Sequence, residues 1–151
     1  MNGNLTEFSR EVKAQFFETF PLLLNLEYKI TENEENTFCI EIKAPSSSGE
    51  LYLMIDTSGE EVTVSFGSYH AHYNDLLGQY VYGSAVGLIN KIISSECAIV
   101  TYWREDKWFG SSLLNKENFP IDNENQPYAS KIEIRSWLGN FDIDIECVPR
   151  N

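Results

Sequence analysis

The only two histidines of the chain, His70 and His72, stand two residues apart in Tyr69-His-Ala-His-Tyr73, directly after an alternating run that ends in Phe66-Gly67. Residues i and i+2 of a strand project to the same side, so these imidazoles are placed to share one metal ion or to exchange protons near neutral pH. Asp75 follows closely enough to offer an oxygen ligand. If the strand continues unbroken, both rings fall on the side of Val62, Val64 and Phe66 as satisfied, half-buried histidines; a turn at Gly67 resets that parity. Structural, partner-binding and metal roles all stay open for the pair.

His70-Ala-His-Tyr-Asn-Asp75 also resembles the HxHxxD opening of metallo-β-lactamase-type hydrolases. Those enzymes need further histidines downstream, and none follows His72. A small metal-dependent hydrolase using His70 and His72 is therefore kept as an alternative. Nucleophilic chemistry has less to stand on, because no GxSxG elbow occurs and Cys39, Cys97 and Cys147 lack a basic or helix-capping setting. Neither GxGxxG nor GxxxxGK[ST] is present to cradle a nucleotide. No catalytic residue, metal site or cofactor is assigned, and the expectation is a protein that is not an enzyme.

The elements that position these residues follow from the apolar pattern. Asn4 with Glu7 reads as a capping box, and Leu5, Phe8, Val12 and Phe16 recur at helical spacing before Pro21, which predicts a first helix over 5–19. Its Phe-rich stripe is core material rather than a ligand pocket. β-like runs follow at 25–31, 37–43, 50–56 and 61–66, parted by Glu-Asn-Glu-Glu, Pro-Ser-Ser-Ser-Gly and Thr-Ser-Gly, and predict an antiparallel meander. Over 76–95, Leu77, Val81, Ala85, Leu88, Ile89 and Ile92 form one stripe, so a central helix crosses the sheet. Gly83 and Gly87, one turn apart in it, point to close backbone approach to the sheet.

Two hairpins complete the chain, 97–103 with 107–114 and 131–138 with 141–148. A two-residue turn at Gly139-Asn140 sets Leu138 opposite Phe141, Ser136 opposite Ile143, Ile134 opposite Ile145 and Ile132 opposite Cys147 on a core face. The other face pairs Trp137 with Asp142, Arg135 with Asp144 and Glu133 with Glu146, an exposed tryptophan among surplus carboxylates. Tyr69, Tyr73, Tyr102, Trp103, Trp108 and Trp137 add aromatics of the kind that dominate interfaces. The predicted class is α+β, mainly antiparallel sheet: a β-meander plus two C-terminal hairpins, with an N-terminal and a central helix packed on it.

Composition bounds the function. A chain of 151 residues with no repeat or linker is expected to be a single domain over 1–151. Eleven Lys and Arg against 23 Asp and Glu give a net charge of -12, which repels phosphate backbones and anionic membranes and favours a basic partner. Three cysteines without a CxxC pair argue against a disulfide framework or a zinc knuckle. With neither a secretory pattern after Met1 nor an apolar run of about 18 residues, the expected location is cytoplasmic.

The stretch 50–114 resembles small bacterial immunity proteins encoded beside polymorphic toxins. The shared features are the alternating strand, the Tyr69-His-Ala-His-Tyr73 segment, the following helix, Ile99-Val-Thr-Tyr-Trp103 and Gly110-Ser111. Tyr69 stands where a tryptophan is common in that pattern. The resemblance implies a cytoplasmic protein that binds a cognate toxin domain and covers its active surface. A basic nuclease would suit the acidic charge. The expected contact residues are His70, His72, Tyr69, Tyr73, Trp137, Asp142 and Asp144; self-assembly through the aromatic surface is a third reading.

Overall fold

The computed structural model describes residues 5–32, 36–45, 51–77, 84–118 and 127–149, which form two helices and two antiparallel sheets, an α+β fold dominated by strand. Helix α1 (Glu7–Thr19) is capped by Thr6, whose side chain accepts from the Ser9 amide at 3.1 Å. The predicted cap Asn4 lies outside the described residues. Val12, Phe16 and Phe20 are buried along one stripe, and Pro21 turns the chain into a 3-10 helix over Pro21–Asn25. That turn occupies the start of the predicted first strand.

The first sheet is a meander of β1 (Tyr28–Glu32), β2 (Phe38–Lys43), β3 (Tyr52–Ser58), β4 (Glu61–Phe66) and β5 (Tyr69–Tyr73), in spatial order β1-β2-β3-β4-β5. Alternation sends Phe38, Ile40 and Ile42, Leu53 and Ile55, and Val62, Val64 and Phe66 to one buried face. Helix α1 packs on that face, where Ser9 Oγ meets Thr57 Oγ1 at 2.7 Å. Helix α2 (Ala85–Ile93) also packs there, against β4, through buried Ala85, Leu88, Ile89 and Ile92. Its N-cap is Ser84, accepting from the Gly87 amide at 2.8 Å. A Cβ at Gly87 would sit 3.2 Å from Ser84 Oγ, so this glycine makes room for its own cap rather than for the sheet. Val81 and Gly83 lie outside the described residues.

The second sheet contains β6 (Cys97–Arg104), β7 (Lys107–Asn115), β8 (Lys131–Arg135) and β9 (Ile143–Glu146), in spatial order β7-β6-β8-β9. The two C-terminal hairpins are thus one sheet, fused by antiparallel pairing of β6 with β8. Cys97, Ile99 and Leu113 from one face join the core of the first sheet, while Ala98, Val100, Ile132 and Ile134 form a second cluster on the other. Hydroxyls seal the joint between the sheets: Ser68 Oγ lies 2.6 Å from Thr101 Oγ1, and Ser111 Oγ donates to the Ser68 carbonyl at 3.0 Å. Among the described residues, no helix is long and apolar enough to cross a membrane.

The β8–β9 register differs from the predicted one. Ile132 faces Ile145 and Ile134 faces Ile143, a slip of two positions. The cause is a longer turn. Asp142 Oδ1 accepts from the Ser136 amide at 2.7 Å and from Ser136 Oγ at 3.2 Å, and Ser136 Oγ accepts from the Phe141 amide at 3.1 Å. These bonds stabilise a side-chain-built loop over 136–142 in place of a two-residue turn at Gly139-Asn140. Trp137 leaves strand alternation there and turns inward: it is 3 % exposed, against the expectation of an exposed ring.

Candidate functional site

The parity of the histidines is set by Gly67, whose φ of +58° lets a two-residue turn, Gly67-Ser68, join β4 to β5. Phe66 therefore pairs with Tyr69, Ser65 with His70, and Thr63 with His72. Both imidazoles project from the outer face of the sheet, opposite the side of Val62, Val64 and Phe66, and both are exposed. Tyr69 and Tyr73 take the inner side, half-buried against the core. Burial raises the Tyr73 hydroxyl above its ordinary pKa, with Tyr69 adding to the effect.

On the outer face, His72 Nδ1 lies 2.9 Å from Glu61 Oε1 and 2.8 Å from Thr63 Oγ1. A carboxylate only accepts, so this contact requires a proton on Nδ1, and in the neutral ring Nε2 is then the open nitrogen. The rings of His70 and His72 stand 5.2 Å apart between centroids, with planes at 74°. Across the strands, register continues the His72 row through Thr63 and Asp56 to Cys39. Burial raises the Asp56 carboxyl, opposed by His72 and reinforced by Glu61. Burial, with Asp56 and then Glu41 adding, pushes the Cys39 thiol up to about 11. This face is thus a small electrostatically coupled patch. Among the described residues no group of three or more His, Cys, Asp and Glu could hold a metal ion, so Asp75 does not complete a three-ligand set.

The remaining predicted contacts are dispersed into structural work. Trp137 packs on Phe66, with centroids 5.9 Å apart. Asp142 holds the 136–142 turn. Asp144 binds Arg135 Nη1 at 2.8 Å, and the same guanidinium reaches Glu133 Oε2 at 3.3 Å. Register sets Glu133 directly opposite Asp144, a repulsive pair that the single Arg135 guanidinium bridges and partly offsets. The predicted surplus of carboxylate persists, with Arg135 shared between Glu133 and Asp144, but the tryptophan expected beside it is buried.

A stronger surface lies at the tip of the β6–β7 hairpin. Tyr102 pairs with Gly110 but Trp103 pairs with Trp108, so Phe109 is an extra residue in β7. The bulge breaks alternation, and consecutive Trp108 and Phe109 are both exposed, at 53 % and 40 %. Tyr128, 54 % exposed, joins them in a groove also lined by Arg104 and Lys107. The Arg104 guanidinium lies over the Tyr128 ring at 5.7 Å. Trp108 stands among the interface-prone aromatics of the sequence, but Phe109 and Tyr128 do not. For Phe109 the readable signal is the Trp-Phe-Gly run beside a Glu-Asp turn, where two adjacent large aromatics cannot both follow strand alternation, and Tyr128 has no such signal. Comparisons with known proteins leave these surfaces to be read on their own chemistry: no family model, no curated protein and no solved structure matches this chain.

Proposed function

We propose that this protein is an immunity protein, which binds a cognate bacterial toxin domain and covers its active surface without carrying out a reaction. The observation that carries the proposal is the exposed aromatic group of Trp108 and Phe109, bulged outward on a hairpin tip, with Tyr128 beside them in the same groove. Large aromatics of this kind are rigid, bury much area and supply most of the energy of protein interfaces. The charge of -12 adds long-range attraction for a basic toxin such as a nuclease. Ser111, three residues from Trp108, is bonded to Ser68 at the head of β5, so the aromatic tip and the histidine strand are held by one joint. The free thiols of Cys39 and Cys97 suit a reducing cytoplasm.

The test has two stages. Capture of the tagged protein from its native cells, with mass-spectrometric stoichiometry, should retain one larger protein in near-equimolar amount. Expression of that protein's C-terminal domain alone should arrest growth, and co-expression of this chain should restore it. Replacing Trp108, Phe109 and Tyr128 together by alanine should abolish rescue while leaving the melting temperature close to wild type. Recovery of the chain by itself, or rescue undiminished in the triple variant, would overturn the proposal.

A further inference from the structure

The two histidines offer a ligand site that does not depend on the partner. We propose that His70 and His72 form a two-imidazole clip for a borderline divalent cation of the zinc class, with Glu61 and Thr63 orienting His72.

Three observations carry it. First, the rings project from adjacent outward positions of one strand and are exposed, so an ion reaches both from solvent. Second, their centroids are 5.2 Å apart. With metal–nitrogen bonds of about 2.05 Å, and a ring centre about 1.15 Å beyond the nitrogen, tetrahedral ligation sets two imidazole centres about 5.2 Å apart. Third, His72 already has the second partner that ligating histidines require. Its Nδ1 is held by Glu61 at 2.9 Å and Thr63 at 2.8 Å, which leaves Nε2 as the ligand atom. His70 meets the His72 ring edge-on, and no hydrogen bond to another described residue holds its nitrogens.

The local field favours a cation. Glu61 and Asp56 lie nearest the pair on this face, while Glu41, farther across the sheet, is matched by Lys29 opposite it and Lys43 beside it. Because the described residues supply only two nitrogens, water fills the other positions. The site is therefore an open one, able to accept a further donor from another molecule.

Zinc chloride titrated into the chelator-treated full-length protein should bind at one ion per chain by calorimetry. His70→Gln and His72→Gln, both at exposed positions, should each lower affinity at least tenfold with melting temperature retained. Glu61→Ala, at an exposed position, should lower it about tenfold, the usual cost of losing an orienting partner. It should also change the 15N imidazole signature of His72 from a single Nδ1–H tautomer to a mixture, which loss of a merely structural contact elsewhere would not do. Absence of zinc binding to the wild-type protein, or binding that survives both histidine substitutions, would overturn the proposal.

Discussion

Phe66 and Trp137 meet ring against ring, with centroids 5.9 Å apart and planes at 50°, and this contact fastens the β8–β9 turn to the first sheet. Trp137 is 3 % exposed and Phe66 1 %. Replacing Trp137 by Ala removes a large buried aromatic and should cost about 3–5 kcal/mol, measured by urea denaturation. Trp137→Phe should retain most of the stability. A loss under about 1 kcal/mol in the alanine variant would place the ring outside the core.

Asp142 acts on stability through Ser136. Asp142→Ala leaves the Ser136 amide without its 2.7 Å acceptor, and Ser136 is fully buried. The expected cost is about 1–3 kcal/mol, the range for an orphaned buried donor. Asp142→Asn keeps an acceptor oxygen and should cost less. Equal stability in all three proteins would remove the side-chain-built turn from the account.

Asp56 gives a pH dependence with a defined sign. Burial raises its folded pKa above 3.8, so the stability its protonated form contributes is complete below 3.8 and is lost as pH rises through the raised value. Asp56→Asn should therefore melt higher than wild type at pH 7, with the difference vanishing below pH 3.8. A variant that melts lower at pH 7, or a gap independent of pH, would contradict this.

The thiols of Cys39 and Cys97 are both pushed up to about 11 from an ordinary 9.0, chiefly by burial. Two pKa units reduce the thiolate fraction at pH 8 by about a hundredfold. Iodoacetamide should then label both slowly in the folded protein and rapidly in urea, read by mass spectrometry of the peptides. Labelling at the rate of a free thiol in native buffer would show that these sulfurs are open.

Much of the fold is legible in the residues. The period-two patterns Leu53, Ile55 and Val62, Val64, Phe66 place β3 and β4 directly, and Phe8, Val12, Phe16 place α1, because one face of each must be buried. The β8–β9 register is different in kind. A slip of two residues leaves every side chain on the same face, so Ile132 and Ile134 satisfy either register and only the turn decides. That decision rests on the side chains of Ser136 and Asp142, whose bonds a reading of turn propensity at Gly139-Asn140 does not foresee. Trp137 is lost to view for the same reason, since beyond Arg135 alternation no longer governs. The outward histidines turn on the conformation of Gly67 alone, and the exposed aromatic tip on a bulge at Phe109 that no periodicity announces.

The order of strands also implies an order of folding. In the five-stranded sheet every pairing joins consecutive strands, whereas β8 reaches back past β7 to pair with β6. Loop closure is cheap for the first kind of contact and slower for the second. The meander carrying the histidines should therefore organise early, also as the chain emerges during synthesis, while the second sheet waits for its last strands. Pulsed hydrogen exchange should show amides of β3 and β4 protected before those joining β6 to β8. A chain stalled before β8 is left with an unpaired β6 edge, and that edge, rather than the meander, is where misassociation would begin.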